Sequence, residues 1–418
     1  MRYGLIGEHL GHSFSRIVHS QIADYEYELC EIAPSELDSF MTRREFCAIN
    51  VTIPYKQAVI PYLDFVSEQA REIGAVNTVV NKDGKLYGYN TDFYGMKSLI
   101  DNAGIELENK KVLILGSGGT SRTAMAVANG FGAREIYRVS RSGKDGCIDY
   151  SEAYRLHSDA DVVINTTPVG MLPKTDGIPI ELDRLPSLSG VVDAVYNPIR
   201  TRLVVEAREK NIAAHGGLYM LVAQAVRACE IFLDKELPRD TSDRIFKKLM
   251  SEKESIVLVG MPACGKTTIG KLLAERTGRE FYDLDEEIVK YTGRDIPEIF
   301  ANDGEKAFRD IESKVLFETL AHKGGAVIAT GGGAVLRGEN VRALRQNGKL
   351  YFLNRPLCQL MPTADRPTAS TKEAIEKRYN ERLPIYKKVA DVELLTDGVA
   401  ENTATEIIKI HFNNEEQQ

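Results

Sequence analysis

Residues 111–124 read KVLILGSGGTSRTA: an apolar strand run, then glycines, then a helical stretch. Glycines permit the tight turn and let backbone N–H groups approach a pyrophosphate at the helix N-terminus. A second junction of this kind, with a different grammar, occupies Ser255–Thr268 as SIVLVGMPACGKTT. Two separate phosphate-binding units are the simplest reading. Around them the runs RYGLIG, CAINVTIP, DVVINTTP, GVVDAVY, GAVIATGGG and KLYFL alternate with helical patterns. That alternation is the mark of parallel α/β architecture.

The chain has 418 residues, too many for one hydrophobic core and enough for two or three domains. Its composition, 43% hydrophobic and 27% charged, is that of an ordinary globular protein. A formal net charge of −7 weighs against general binding to nucleic acid or anionic membranes. No apolar run reaches the roughly 18 residues of a membrane span. The opening MRYGLIGEHLGHS lacks a secretory apolar region, which predicts a cytoplasmic protein. The six cysteines form no CxxC pair and no zinc-spaced cluster, and read as reduced packing thiols.

The pattern predicts a substrate-binding lobe over 1–100 and a Rossmann-like lobe over 101–215. Helices over 216–250 are expected to return to the first lobe and leave a cleft between lobes. The charged stretch 251–255 has no apolar residue and reads as a short linker. A P-loop domain with a parallel sheet follows over 256–412, and 413–418 form a polar tail.

The first glycine loop supplies Gly116, Ser117, Gly118, Gly119 and Thr120, with Ser121 at the third glycine position of GxGxxG. The next strand, EIYRVS, ends in Ser140, Arg141 and Ser142. An NAD site would place Asp or Glu there for the ribose 2′-hydroxyl; a cation and hydroxyls suit a 2′-phosphate, hence NADP. Polar residues also cluster at strand ends in HSFS (12–15), NVTIPYK (50–56), GAVNT (74–78) and GYNTD (88–92). Strand ends and loops are where a scaffold presents reactive groups.

In this order YGLIG…HSFS, NVTIPYK, GAVNTV, GYNTD, GSGGTSR, INTTPVGM, DAVYNP and MLVAQA resemble the shikimate dehydrogenase family over roughly residues 1–250. The resemblance implies that Ser13, Ser15, Thr52, Asn77, Tyr196 and Gln224 hold the substrate's hydroxyl and carboxylate groups. It makes Lys56 and Asp92 the catalytic pair and places Gly217 beside the cofactor. The pairing is chemically apt, because ketone reduction needs a proton for the developing alkoxide. Two departures stand out: Tyr219 replaces a glycine near the expected nicotinamide, and Arg16 stands where proline is common.

Gly260–Thr267 is a full GxxxxGK[ST] match. Backbone N–H groups of Gly260, Cys264, Gly265 and Thr268 would cradle ATP, Lys266 would reach the β/γ oxygens, and Thr267 would serve Mg²⁺. Period-two geometry places Asp283 and Asp285 of FYDLD on one side of a strand, one for Mg²⁺ and one for an acceptor hydroxyl. Glu305, Arg309 and Glu312 share a helix face, and TGGG stands where a Walker-B aspartate is usual. FYDLD, GEKAFRDIE, TGGG, DRP and RLPIY are similar to shikimate kinases over roughly 254–398. That resemblance implies Asp285, Arg309, Gly332 and Arg382 as shikimate ligands, and Arg366 as a lid residue over the phosphates.

Both halves lead to one molecule. The expectation is NADPH-dependent reduction of 3-dehydroshikimate, then ATP- and Mg²⁺-dependent phosphorylation of shikimate. Quinate as a further substrate, NAD as cofactor, and one inactive half are the alternatives. Lys56, Asp92, Lys266 and Asp285 are all present, against the last.

Overall fold

The structure, a computed structural model, describes residues 2–11, 14–360 and 371–412. It contains three sheets and two compact units, one of residues 1–197 and 206–248, the other of 198–205 and 249–418.

In the first unit, β1 (Tyr3–Gly7), β2 (Tyr27–Glu31), β3 (Ala48–Val51), β4 (Phe65–Val66), β5 (Thr78–Lys82) and β6 (Lys85–Tyr89) form a mixed sheet in the order β2-β1-β3-β5-β6-β4. A second sheet joins β7 (Lys111–Leu115), β8 (Glu135–Val139), β9 (Val162–Asn165), β10 (Gly190–Asp193) and β11 (Ala213–His215), all parallel, as β11-β10-β9-β7-β8. Every residue of β7, β9 and β10 is buried. Strands covered on both faces need such unbroken apolar runs.

Helix Thr91–Ala103 leads from the first sheet to the second and packs on helix Leu218–Leu233. Gly95 makes the approach possible, since a Cβ there would lie 2.6 Å from the Met220 carbonyl oxygen. The stretch expected to return as 216–250 divides. Ala228 and Phe232 pack with Leu5 of the first lobe, whereas Phe246 of helix Thr241–Lys253 packs against the core of the second.

The second unit holds a parallel sheet, β13-β14-β12-β15-β16, built from β12 (Ser255–Val259), β13 (Phe281–Asp283), β14 (Val327–Ala329), β15 (Gly348–Asn354) and β16 (Val392–Leu395). The expected linker 251–255 is a correction. Helix Thr241–Lys253 runs through residue 253 and β12 begins at Ser255, leaving only Glu254 between them. Arg279 fixes the junction by donating to the carbonyls of Ser251 and Glu254. Residues 198–205 also belong to this unit. Arg200 donates from Nε to the Arg345 carbonyl at 2.7 Å and from Nη2 to that of Gly348 at 2.9 Å, and it pairs with Glu254 at 2.7 Å.

Each unit buries a neutral histidine. His411 donates from Nε2 to the Glu254 carbonyl at 3.2 Å, so Nδ1 accepts from the Tyr351 hydroxyl at 3.0 Å. Burial pulls its pKa down to about 3, and does the same to His19 in the first unit. A histidine depressed this way binds fewer protons folded than unfolded between pH 3 and 6.5, so stability falls as pH drops through that window. Between pH 6.5 and 5 each should cost about 2 kcal/mol. Denaturant midpoints measured at both pH values check this, and His411→Gln should flatten the slope of the second unit alone.

Candidate active sites

A cavity of about 370 Å³ in the first unit gathers Ser15, Thr52, Lys56, Asn77, Asp92, Thr120, Tyr196, Gly217 and Gln224. Ser13 lies outside the described residues. Lys56 follows β3, and its carbonyl accepts from Val76 at 2.8 Å, which holds the turn against β5. Its Nζ donates to Asp92 Oδ2 at 2.6 Å. Asp92 sits in the first turn of helix Thr91–Ala103, capped by the Asn90 side chain, where the macrodipole favours a carboxylate. An ammonium bonded to one fixed carboxylate keeps its other N–H groups for a ligand oxygen.

Asn77 Oδ1 accepts from the Thr91 N–H at 2.7 Å, and Nδ2 donates to Thr91 Oγ1 at 3.1 Å. Gln224 is anchored through Nε2 on the Leu221 carbonyl at 2.9 Å. Burial pushes the Tyr196 hydroxyl up, so it stays a donor. His9, Asn50 and Met220 also line the cavity and received no site role from sequence. Asn50 has the clearest signal in retrospect, as a lone polar residue inside an otherwise apolar, fully buried strand.

At the dinucleotide turn Gly116 has φ 120, and a Cβ would meet Thr166 Oγ1 at 2.7 Å. Ser121 is tolerated in place of glycine because its buried hydroxyl donates to the Gly118 carbonyl at 2.7 Å. Ser117, Gly118 and Gly119 lead into helix Gly119–Gly130, and Ser140, Arg141 and Ser142 follow β8, with Arg141 and Ser142 exposed. None of these six lines the substrate cavity; only Thr120 of the loop does. Open N–H groups at a helix start, with Arg141 on the neighbouring strand end, fit a phosphorylated dinucleotide. At Gly217 a Cβ would fall 2.2 Å from the Ala194 carbonyl oxygen, so no side chain fits. Tyr219 leaves the cavity clear: its hydroxyl donates to Asp243 at 2.6 Å and its ring meets Phe246 edge-on.

In the second unit the P-loop runs from β12 into helix Lys266–Thr277, with Gly260 at φ 149 and Gly265 at φ 102. Lys266 is 6% exposed and donates to the carbonyls of Gly260 at 3.0 Å and Met261 at 2.9 Å. Cys264 is buried against Gly260, so its thiol is a filler beneath the loop. Thr268 is exposed on the first helical turn. Asp285 is not on the strand, as alternation implied. β13 ends at Asp283, and Asp285 lies in the first turn of helix Leu284–Thr292. Asp283 caps that helix, accepting from the Asp285 N–H at 3.0 Å, and its Oδ2 accepts from Thr267 at 2.7 Å. Thr267 and Asp283 offer only oxygen, which suits a hard cation.

A cavity of about 750 Å³ brings Asp285, Arg309, Gly332 and Arg382 together. Arg366 lies outside the described residues. Gly304, at φ 82, breaks the helix Ile296–Val315 just before Glu305. Arg309 then pairs with Glu312 at 2.6 Å and Glu305 at 3.5 Å. Glu312 is fully buried, and burial raises its pKa against the pull of Arg309. The three glycines each abut a neighbour closely: a Cβ on Gly331 would strike Glu312, on Gly332 Pro262, and on Gly333 the Arg309 guanidinium. The Gly332 carbonyl holds Arg382 through Nη1 at 3.1 Å.

Sites of these two kinds define a nicotinamide-dependent oxidoreductase and a P-loop phosphotransferase within one chain. The family model described as the shikimate dehydrogenase substrate binding domain matches residues 5–79, and that described as shikimate kinase matches 262–411. The shikimate dehydrogenase (NADP(+)) of Clostridium beijerinckii is 36% identical over 265 residues, which are 60% of this chain and 98% of that protein. A chorismate mutase/shikimate 5-dehydrogenase fusion protein from Clostridium acetobutylicum superposes with a TM-score of 0.56 at 37% identity, covering 59% of this chain and 96% of the other. Shikimate 5-dehydrogenase from Thermus thermophilus, in complex with NADP(H) and shikimate, gives 0.54 at 28% identity, with 59% and 99% covered. The chain belongs to the shikimate dehydrogenase family and continues into a shikimate kinase domain.

Proposed function

We propose that this bifunctional shikimate-pathway enzyme reduces 3-dehydroshikimate to shikimate with NADPH and then phosphorylates the 3-hydroxyl of shikimate with ATP. The observation that carries the first step is the Lys56–Asp92 pair, 2.6 Å apart at the wall of a cavity lined with hydrogen-bonding groups. Asp92 holds Nζ in place, Lys56 gives a proton from Nζ to the ketone oxygen as it becomes an alkoxide, and solvent returns it. Tyr196, Gln224, Ser15 and Thr52 orient the acid, and Asn77 offers an N–H. When bound, the nicotinamide supplies the hydride.

In the second unit Arg309 and Arg382 pair the substrate carboxylate, for which paired guanidinium forks are suited. Asp285 orients the attacking hydroxyl and accepts its proton. Lys266 offers its ammonium to phosphate oxygens, and magnesium held near Thr267 and Asp283 would neutralise phosphate charge. With no helix among the described residues able to cross a membrane, we place both activities in the cytoplasm.

The experiment is a coupled assay on the full chain with 3-dehydroshikimate, NADPH, ATP and Mg²⁺. Nicotinamide absorbance reports the first step and the mass of shikimate 3-phosphate the second; absence of either product refutes that half. Arg141→Ala should raise KM for NADPH about tenfold or more and leave KM for NADH unchanged, as expected for a charge-assisted contact to the 2′-phosphate.

A further inference from the structure

Asn50 lies inside β3 and lines the dehydrogenase cavity while only 5% exposed. A carboxamide has two acceptor lone pairs and two N–H donors. Nδ2 spends both hydrogens inside the protein, on the Asn77 carbonyl at 3.2 Å and on Thr78 Oγ1 at 3.1 Å. Oδ1 accepts from the Tyr27 hydroxyl at 2.7 Å. Behind Tyr27 the ring of His19 stacks at 3.9 Å, nearly parallel, with 1% exposure. Its Nδ1 meets the Tyr25 hydroxyl at 2.6 Å. Its Nε2 is buried and closes no hydrogen bond in this structure, so His19 backs Tyr27 through its ring face.

We infer that Tyr27, backed by the His19 ring, is a positioning residue of the dehydrogenase site, fixing the Asn50 carboxamide so that Asn77 presents an N–H donor to the substrate. The Tyr27 hydroxyl on Asn50 Oδ1 leaves Nδ2 to hold the Asn77 carbonyl and Thr78 Oγ1. The Thr78 hydroxyl then donates to Asn77 Oδ1 or to Thr91 Oγ1, each 3.2 Å away. In the second arrangement Thr91 Oγ1 supplies Asn77 Oδ1 at 3.3 Å. In both, Asn77 Oδ1 also accepts from the Thr91 N–H, and one of the two Nδ2 hydrogens is on Thr91 Oγ1, so one N–H remains. A reversed Asn50 would set its oxygen against the Asn77 carbonyl, compete for the Thr78 proton and loosen the hold on Asn77.

This inference rests on the reading of the cavity as the site for 3-dehydroshikimate, and the experiment separates the two. NADPH-dependent reduction by the unaltered chain tests the reading; inactivity there overturns both. Given an active chain, Tyr27→Phe removes one O–H without changing volume and should raise KM for 3-dehydroshikimate about tenfold, the worth of one buried hydrogen bond. The value of kcat should stay within about threefold and KM for NADPH should not move, because the lost interaction orients ligand binding. If Tyr27→Phe does not fold, His19→Leu, which removes the ring stacked behind Tyr27, should act in the same direction. Circular dichroism of the same preparations verifies folding. An unchanged KM for 3-dehydroshikimate in a folded variant, or a parallel rise for NADPH, overturns the inference.

Discussion

Lys56→Ala lowers kcat/KM for 3-dehydroshikimate reduction by about 10³-fold, within the range for loss of a positioned general acid, while shikimate phosphorylation by the same chain is unchanged. The expectation comes from geometry. Lys56 is the ammonium that lines the cavity at its wall, and Asp92 fixes it at 2.6 Å from the first turn of a helix that Gly95 seats closely on helix Leu218–Leu233. Truncation removes both the proton donor and the counter-charge of Asp92. Lys56→Arg keeps the charge and should not restore turnover, since a guanidinium does not release its proton. Asp92→Asn keeps a hydrogen-bonding partner for Nζ and should cost less, about ten- to a hundredfold. Initial rates of NADPH oxidation decide the matter. A Lys56→Ala protein within tenfold of the unaltered chain would remove the lysine from its role.

Arg309→Ala produces two losses at once, in binding and in folding. Arg309 is 12% exposed, and its partner Glu312 is fully enclosed. Removing one member of a buried pair typically costs about 3–5 kcal/mol, because the remaining charge has no counterpart. Burial already pushes the Glu312 carboxyl up, and without the Arg309 guanidinium only the smaller pull of Arg382 opposes that push. KM for shikimate should rise about a hundredfold or more with loss of a charge-assisted carboxylate contact. The double variant Arg309→Ala/Glu312→Ala separates the effects: the denaturant midpoint should recover much of its value, while shikimate affinity should not. Equal recovery of both would mean that the arginine serves the fold alone.

Much of this was legible in the sequence because it is local. An unbroken apolar run ending in glycines must be a buried strand meeting a tight turn, and both phosphate loops are such junctions. The i, i+3 spacing that set Arg309 beside Glu312 needed no tertiary information. What stayed hidden depends on partners distant in sequence. SEKES reads as a linker because it has no apolar residue, yet residues 251–253 finish a helix, and Arg279 meets the carbonyls of Ser251 in its last turn and of Glu254 just after it. Alternation placed Asp285 on a strand, but the Asp283 side chain caps a helix at that point and changes the period from two to 3.6. Tyr219 raised a question about the cofactor site that only its hydrogen bond to Asp243 answers. Ser121 fits where glycine is usual because its buried hydroxyl finds an acceptor in the Gly118 carbonyl.

The membership of residues 198–205 has a consequence for how such a chain can be taken apart. Two enzymes joined tail to head would come apart at one cut, by a protease or by an early stop in the gene. Here the second unit draws on residues that lie before the last helices of the first, and Arg200 meets Glu254, Arg345 and Gly348 from that earlier stretch. No single break in the polypeptide returns both units whole. A kinase expressed from residue 249 onward would have to satisfy the half-buried Glu254, a carbonyl in the last turn of one helix and a carbonyl at the start of β15 by other means. The fusion is thus written into the fold as an interleaving, and inheritance of the two activities as separate modules would require that stretch to be rebuilt.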